Sequence, residues 1–396
     1  MRTQRAPTRH IGRPLLATIV GCGLVVAACA STDGVVSDAA LGVPTLSPAT
    51  TVTTVASVTT VGASASLQTG VVQVSTGGAA FAESPGGPAV ARLPEGVVMG
   101  FSNKQGQFLE VVNTCNVVGW VSEEEVTVTE GSVAARPGPG FDLTQAVAVL
   151  DPGHGGRDWG GVGETGLSEK AVNLDIAERV RTLMSSSNDV DWVTGEISTG
   201  DAVPEFGTVW LTRDRTAPDD GDIELGLPFR SALANAAGAD VFVSIHNNTV
   251  PRIDTDIPGT EVFYSLAAQG SDRLASLIYE ELLRSFAQFD ADWRGGDLLG
   301  ARARIDPETS ADYYGILRRA FMPAVIVEGA YISEPEEEEL LRSDEFRQAY
   351  AEGVYRGVVR FLTSDDFGGE IREPELYSDN SGTVDASSCV LAEHSE

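Results

Sequence analysis

Basic residues are scarce in this chain: 27 Lys plus Arg face 57 Asp plus Glu across 396 residues, a formal net charge of −30. A nucleic-acid backbone needs a basic footprint, so this deficit excludes a phosphate polymer as the main partner. It argues equally against adsorption to an anionic membrane surface. Cysteine is sparse, with four in all, too few to staple a disulfide scaffold. Histidine is as sparse, again four, so each can be weighed singly. What the chain does have is apolar content, 42%, which excludes wholesale disorder. At roughly 100–200 residues per domain, the length calls for one large domain and a smaller one.

The N-terminal residues read as an address. Arg2, Arg5, Arg9 and Arg13 form a basic leader without an acid, and an apolar run follows from Leu15 to Ala28. As a helix that run rises about 21 Å, short of the roughly 30 Å hydrocarbon core of a bilayer. Residues 1–28 are therefore expected to be a signal peptide and not a membrane span. The run ends Val26-Ala27-Ala28-Cys29, which resembles a bacterial lipobox. That resemblance implies that Cys29 becomes a lipidated N-terminus, anchoring the chain to the outer face of the cell membrane. The alternative is ordinary cleavage and secretion to cell wall or periplasm. Loss of the leader leaves 23 basic against 57 acidic residues, near −34.

Composition then divides the rest. Residues 29–69 are the Cys and a tether of Thr, Ser, Ala, Val and Gly, with Asp33 and Asp38 the only charges. Such a segment buries too little apolar area to offset its ordering entropy. Residues 70–130 carry short β-type runs separated by turns: Val71–Val74, Ala89–Ala91, Gly96–Gly100, Phe108–Val112 and Gly119–Val121. They predict a small all-β barrel, and the ending Gly119-Trp120-Val121 resembles the bacterial Src-homology-3 (SH3-like) module. Residues 131–144, with Pro137-Gly138-Pro139-Gly140, read as a linker. Residues 145–363 alternate apolar runs with amphipathic stretches, such as Val172, Ile176, Val180 and Leu183. That alternation predicts an α/β domain with a mixed, mostly parallel sheet flanked by helices. Residues 364–396 read as an acidic, flexible tail. Cys115 and Cys389 would both lie outside the cytoplasm, where a disulfide persists, but sequence shows no proximity between them.

Three apolar runs lead into a reactive residue. Ala146–Leu150 precedes Asp151-Pro152-Gly153-His154-Gly155-Gly156; Val241–Ile245 precedes His246-Asn247-Asn248; Ala324–Val327 precedes Glu328. The carboxyl ends of parallel strands share one edge, where such folds bind ligands, so His154, His246 and Glu328 can converge. Ser168 reads as an N-cap, placing Glu169 in the first turn of a helix over 169–185. Two His and a carboxylate suit Zn²⁺ with a position left for water. Each residue also has a plain structural reading: a turn histidine, a capped core histidine, an acid favouring a helix dipole, one more acid before Glu336–Glu339.

Together five segments are specific. Asp151–Gly156, Leu167-Ser168-Glu169-Lys170, Leu211-Thr212-Arg213-Asp214, Ser244-Ile245-His246-Asn247-Asn248 and Val327-Glu328-Gly329-Ala330-Tyr331-Ile332-Ser333 resemble, in order, the zinc-dependent N-acetylmuramoyl-L-alanine amidases of family three. The likeness spans about 145–363. It implies a hydrolase of linear amide bonds that cuts peptidoglycan between the lactyl group of N-acetylmuramic acid and L-alanine. It implies His154, Glu169 and His246 as Zn²⁺ ligands and Glu328 as general acid/base. Arg157 is a further candidate, for the oxyanion. The sequence departs from the family after Glu328, where Gly-Ala-Tyr stands in place of Leu-Gly-Phe. An acidic stretch with Asp219, Asp220, Asp222 and Glu224 lacks the spacing of an EF-hand. The expected partners are peptidoglycan and, through Cys29, the membrane, with room for an activator protein that the sequence does not identify. The competing expectation is a catalytically inactive wall-binding or regulatory lipoprotein.

Overall fold

Apolar runs bounded by turns become strands, and they assemble into two main sheets. The computed structural model describes residues 69–113, 117–130, 137–215, 225–249, 259–290 and 300–377. The expected signal peptide, lipidated Cys29, the tether, the acidic 219–224 stretch, both Cys115 and Cys389, and the tail from 378 onward lie outside them. Among the described residues no helix is long and apolar enough to cross a membrane.

The first sheet is an antiparallel all-β region. Its strands are β1 (Gly70–Val74), β2 (Ala79–Ala82), β3 (Ala89–Leu93), β4 (Val98–Gln105), β5 (Phe108–Val112), β6 (Val118–Ser122) and β7 (Val126–Glu130), in the order β3-β2-β6-β5-β4-β1-β7. Two of these, β2 and β7, are not marked by the runs noted in the sequence. The Ala-rich β2 has little strand signal, whereas β7, Val-Thr-Val-Thr-Glu, does alternate and was legible in the sequence.

After it the chain alternates as expected. It runs β8 (Val147–Pro152), α1 (Glu169–Met184), the small hairpin β9 (Asn188–Val190) and β10 (Ile197–Thr199), β11 (Thr208–Leu211), α2 (Leu227–Ala237), β12 (Val241–Asn248), β13 (Glu261–Tyr264) and α3 (Ser271–Phe286). It continues through β14 (Gly300–Arg302), β15 (Arg304–Ile305), α4 (Gly315–Arg318), β16 (Ala324–Tyr331), α5 (Pro335–Arg342), α6 (Asp344–Thr363) and β17 (Glu375–Leu376). The central sheet has the order β11-β8-β12-β16-β13-β14. All its pairings are parallel except β13 with β16. It is therefore mixed and mostly parallel.

Alternate residues of a strand point to opposite faces. Ala148, Leu150, Val243, Ile245, Val325 and Val327 face α1, α3 and α6, while Val147, Val149, Phe242, Ala324 and Ile326 face α2 and α4. Cover on both faces explains why these strands read as unbroken apolar runs. Residues 364–377, expected in the loose tail, are placed: β17 pairs in parallel with β15. The expected linker also has contacts, with Gly138 N donating to Leu362 O at 2.8 Å.

Candidate functional site

β8, β12 and β16 are neighbours, so their carboxyl ends meet at one edge. His246 and Glu328 do not follow their strands, as the apolar runs suggested, but are their sixth and fifth residues. They are register partners across the β12–β16 pair. Polar residues can occupy these strand ends because the chain there lines a cleft and not the core. The cleft has a volume of about 440 Å³ and includes His154, Asp158, Glu169, Arg230, Tyr314 and Glu328 in its wall.

His154 leaves β8 on a turn that also touches β12, through Gly153 N donating to Ile245 O at 2.9 Å. Gly153 has no side chain because the His246 ring occupies that space. Glu169 opens α1, with Ser168 at the N-cap position as expected. The Ser168 side chain makes no capping hydrogen bond, however; Gly161 O accepts from Glu169 N instead.

The Glu169 carboxylate stands between the two imidazoles. Its Oε2 is 3.0 Å from His154 Nε2 and its Oε1 is 3.1 Å from His246 Nδ1. Gly161 N donates to Oε2 at 2.7 Å, and Asn247 N and Asn173 Nδ2 donate to Oε1 at 3.1 and 3.2 Å. One ligand atom from each of His154, Glu169 and His246 lies within 4.8 Å of the others. Ligand bonds of about 2.0–2.2 Å to one ion place donor atoms roughly 3–4.5 Å apart, so the set suits Zn²⁺ in ligand type and comes within a few tenths of an ångström of its size. Behind the rings, Asp158 Oδ2 lies 2.9 Å from His154 Nδ1, the carboxylate–imidazole arrangement that fixes a ligating ring.

The charges follow from these contacts. Burial alone would push the His154 pKa down, but Glu169 and Asp158 outweigh it and raise the value to about 10. Burial would push Glu169 up, and the His154 and His246 rings pull it well below the carboxylate range. Glu328 goes the other way: burial, then the charges of Glu169 and Glu261, push it well above that range. Its Oε2 is buried without a hydrogen-bond partner. A carboxyl of that kind, in the wall of a cleft, is suited to moving a proton.

Some residues that build the site had no distinct signal in the sequence. Asp158 could have been suspected, standing four residues beyond His154 in a glycine turn. Asp151 takes 2.6 Å hydrogen bonds from Thr212 Oγ1, Arg230 Nη1 and Ser244 Oγ. Burial pushes Asp151 up, but the Arg230 charge and the hydroxyls hold it below its ordinary value. Arg213, inside a quoted motif, donates to Pro152 O at 3.1 Å and to Gly153 O at 2.8 Å. Arg157, the sequence candidate for the oxyanion, is exposed; the guanidinium lining the cleft is that of Arg230. Nothing in the sequence singled out Arg230.

The family described as N-acetylmuramoyl-L-alanine amidase matches residues 148–360, more than half of the chain. A germination-specific N-acetylmuramoyl-L-alanine amidase of Bacillus subtilis (strain 168) is 30% identical over 221 residues, 56% of this chain and 81% of that protein. The N-acetylmuramoyl-L-alanine amidase AmiC of Neisseria meningitidis serogroup B is 27% identical over 263 residues, 58% of this chain and 56% of that protein. The crystal structure of an N-acetylmuramoyl-L-alanine amidase from Clostridium difficile 630 is 26% identical, covers 56% of this chain and 100% of that one, and has a TM-score of 0.43.

Proposed function

Since the chain belongs to the N-acetylmuramoyl-L-alanine amidase family of enzymes, we propose that it hydrolyses peptidoglycan at the amide bond between the lactyl group of N-acetylmuramic acid and L-alanine. The observation that carries this is the meeting of His154, Glu169 and His246 beside a buried, unpartnered Glu328 oxygen. In this reading the first three hold Zn²⁺. Zn²⁺ there supplies Lewis acidity, polarising the lactyl carbonyl and lowering the pKa of the attacking water.

The chain's own residues do the rest. Asp158 holds the His154 ring through Nδ1, and the backbone N–H of Gly161 and Asn247 orient the Glu169 carboxylate. Glu328 Oε2 accepts the proton of the attacking water and returns it to the alanine nitrogen as that amine leaves. Burial keeps bulk water from competing for that proton. The intact set of four groups weighs against the inactive, purely wall-binding alternative.

The finer organisation belongs to the same proposal. The all-β region is read as SH3-like, Cys29 as the lipid anchor, residues 29–69 as its tether, and the site of action as extracytoplasmic. The deciding experiment incubates the zinc-loaded full chain with purified peptidoglycan. Stem peptides with a free N-terminal L-alanine are the expected product. Absence of that product from every wall type tested, with zinc shown to be bound, would overturn the proposal.

A further inference from the structure

The helix α2, with the residues that lead into it, belongs to two cores. Leu225 and Phe229 are buried with Val72, Met99 and Phe101 of the all-β region, whereas Leu233 and Ala237 pack on the central sheet. β4 meets the helix at Gly100, where a Cβ would stand 2.7 Å from Ala232 O and from Ala236 Cβ. Only glycine permits so close an approach of strand to helix. Closing the core of the β region without α2 would leave the Phe229 position empty.

Beside Phe229, Arg230 reaches away from that core into the site. Its Nη1 donates to Asp151 Oδ1 at 2.6 Å and Pro152 O at 3.0 Å, and its Nη2 to His154 O at 2.8 Å. His154 has φ +61°, a backbone conformation that non-glycine residues keep only where their surroundings hold it. Leu225, Gly226 and Leu227, on the same turn, line the cleft.

We infer that the all-β region positions the metal-binding turn: by seating Phe229 in its core and admitting α2 at Gly100, it sets where Arg230 grips Asp151, Pro152 and His154. Arg230 is thus a positioning residue, and the β region is part of the active site's support as well as whatever it binds. The inference rests on the reading of His154 as a metal ligand and makes no use of the substrate.

The test uses the full chain. Gly100→Ala and Phe229→Ala disturb the contact far from the ligands in sequence, and Arg230→Lys disturbs the grip itself. Leu282→Ala, fully buried on α3 in the opposite layer, is the control for general destabilisation. Zinc affinity is measured by chelator competition, and amide exchange over 151–156 is followed in the metal-free protein. The first three variants are expected to bind zinc about tenfold more weakly, the usual scale for losing an outer support of a ligand. They should also exchange faster over 151–156. Leu282→Ala should lower the melting temperature and move neither readout.

Wild-type affinity and exchange in Gly100→Ala and Phe229→Ala would overturn the inference, as would an equal loss in the control. Should Phe229→Ala fail to fold, Gly100→Ala and the milder Phe229→Leu carry the comparison. Failure of the unaltered chain to bind zinc would count against the metal reading, while the exchange data still decide this one.

Discussion

Glu261 and Glu328 face each other across the β13–β16 ladder, yet among the described residues only Glu261 is ion-paired to a cation. Glu261 is buried and paired with Arg302, whose Nε donates at 2.9 Å, and it also accepts from Tyr331 Oη at 2.7 Å. Glu328 is left with an unpartnered oxygen and a raised pKa, to which the Glu261 charge contributes. This asymmetry suits Glu261 to a structural role and Glu328 to the chemical one proposed for it. It predicts that Glu261→Gln moves the acid limb of the pH profile of kcat/KM to lower pH. A like charge is removed, so Glu328 gives up its proton more readily. Because the base must be ionised to act, activity then persists to lower pH; an unchanged or upward-shifted limb would contradict the pairing. At Glu328 itself, replacement by Gln should lower kcat by about 10²–10⁴, the scale of general acid–base catalysis, with zinc content by elemental analysis unchanged. His154→Ala should instead lose the metal. An active Glu328→Gln would remove that residue from the mechanism.

Elements were legible in proportion to their burial. α1, α3, α6 and the central strands each bury a face, so their periods appear in the sequence, and His154, Glu169, His246 and Glu328 could be placed at or beside their ends. β9, β10 and β17 are two or three residues long, and β10 and β17 are half-buried or exposed, so they leave little pattern. The acidic run of α5 is a case where composition misleads. Glu336, Glu337 and Glu338 look like one solvated face, but Glu337 and Glu338 are buried. Glu338 is satisfied by Thr165 N at 3.1 Å. Glu337 accepts from Tyr331 N at 2.7 Å through Oε2, while its Oε1 has no partner. Burial, aided by Glu334 and Glu336, pushes its pKa up to about 8 from an ordinary 4.5. A carboxyl whose pKa is raised on folding favours the native state while neutral. Its contribution is complete below about pH 4.5 and is lost as pH rises through about 8, on the order of a few kcal/mol in all. Glu337→Gln keeps an oxygen for Tyr331 and removes the titration. Chemical denaturation from pH 5 to 9 should show the wild type losing stability relative to this variant as pH rises. Parallel curves would mean that Glu337 is already ionised in the fold.

At the scale of the molecule, alternation of strand and helix patterns revealed the α/β class, and turn-bounded short strands revealed the β region. How the two meet was not legible. Phe229 and Leu233 lie on one apolar helix pattern, and nothing in a pattern tells which core each apolar residue enters. Only the structure separates them, with Phe229 in one core and Leu233 in the other. Val71 adds a second crossing, packing from β1 against Val147 and Val149 of the central sheet. Surfaces shared in this way oppose independent unfolding, because opening the β region exposes Phe229 and frees one side of α2. The net charge of −30 has no such structural role; it bears on solubility and on which polymers the surface attracts. Two observables separate the regions once Trp159, Trp192, Trp210 and Trp293 are replaced by Phe, which leaves Trp120 as the single tryptophan. Trp120 is buried in β6, whereas every α-helix described lies outside the β region. Metal-free chain titrated with urea should therefore lose tryptophan fluorescence shift and helical circular dichroism over one coincident transition, the signature of a single cooperative unit. Gly100→Ala, which forces strand and helix apart, should separate the two curves. An early fluorescence change in the Trp120-only chain with Gly100 intact, with helical signal retained, would show that the β region folds alone and that its contact with α2 adds little.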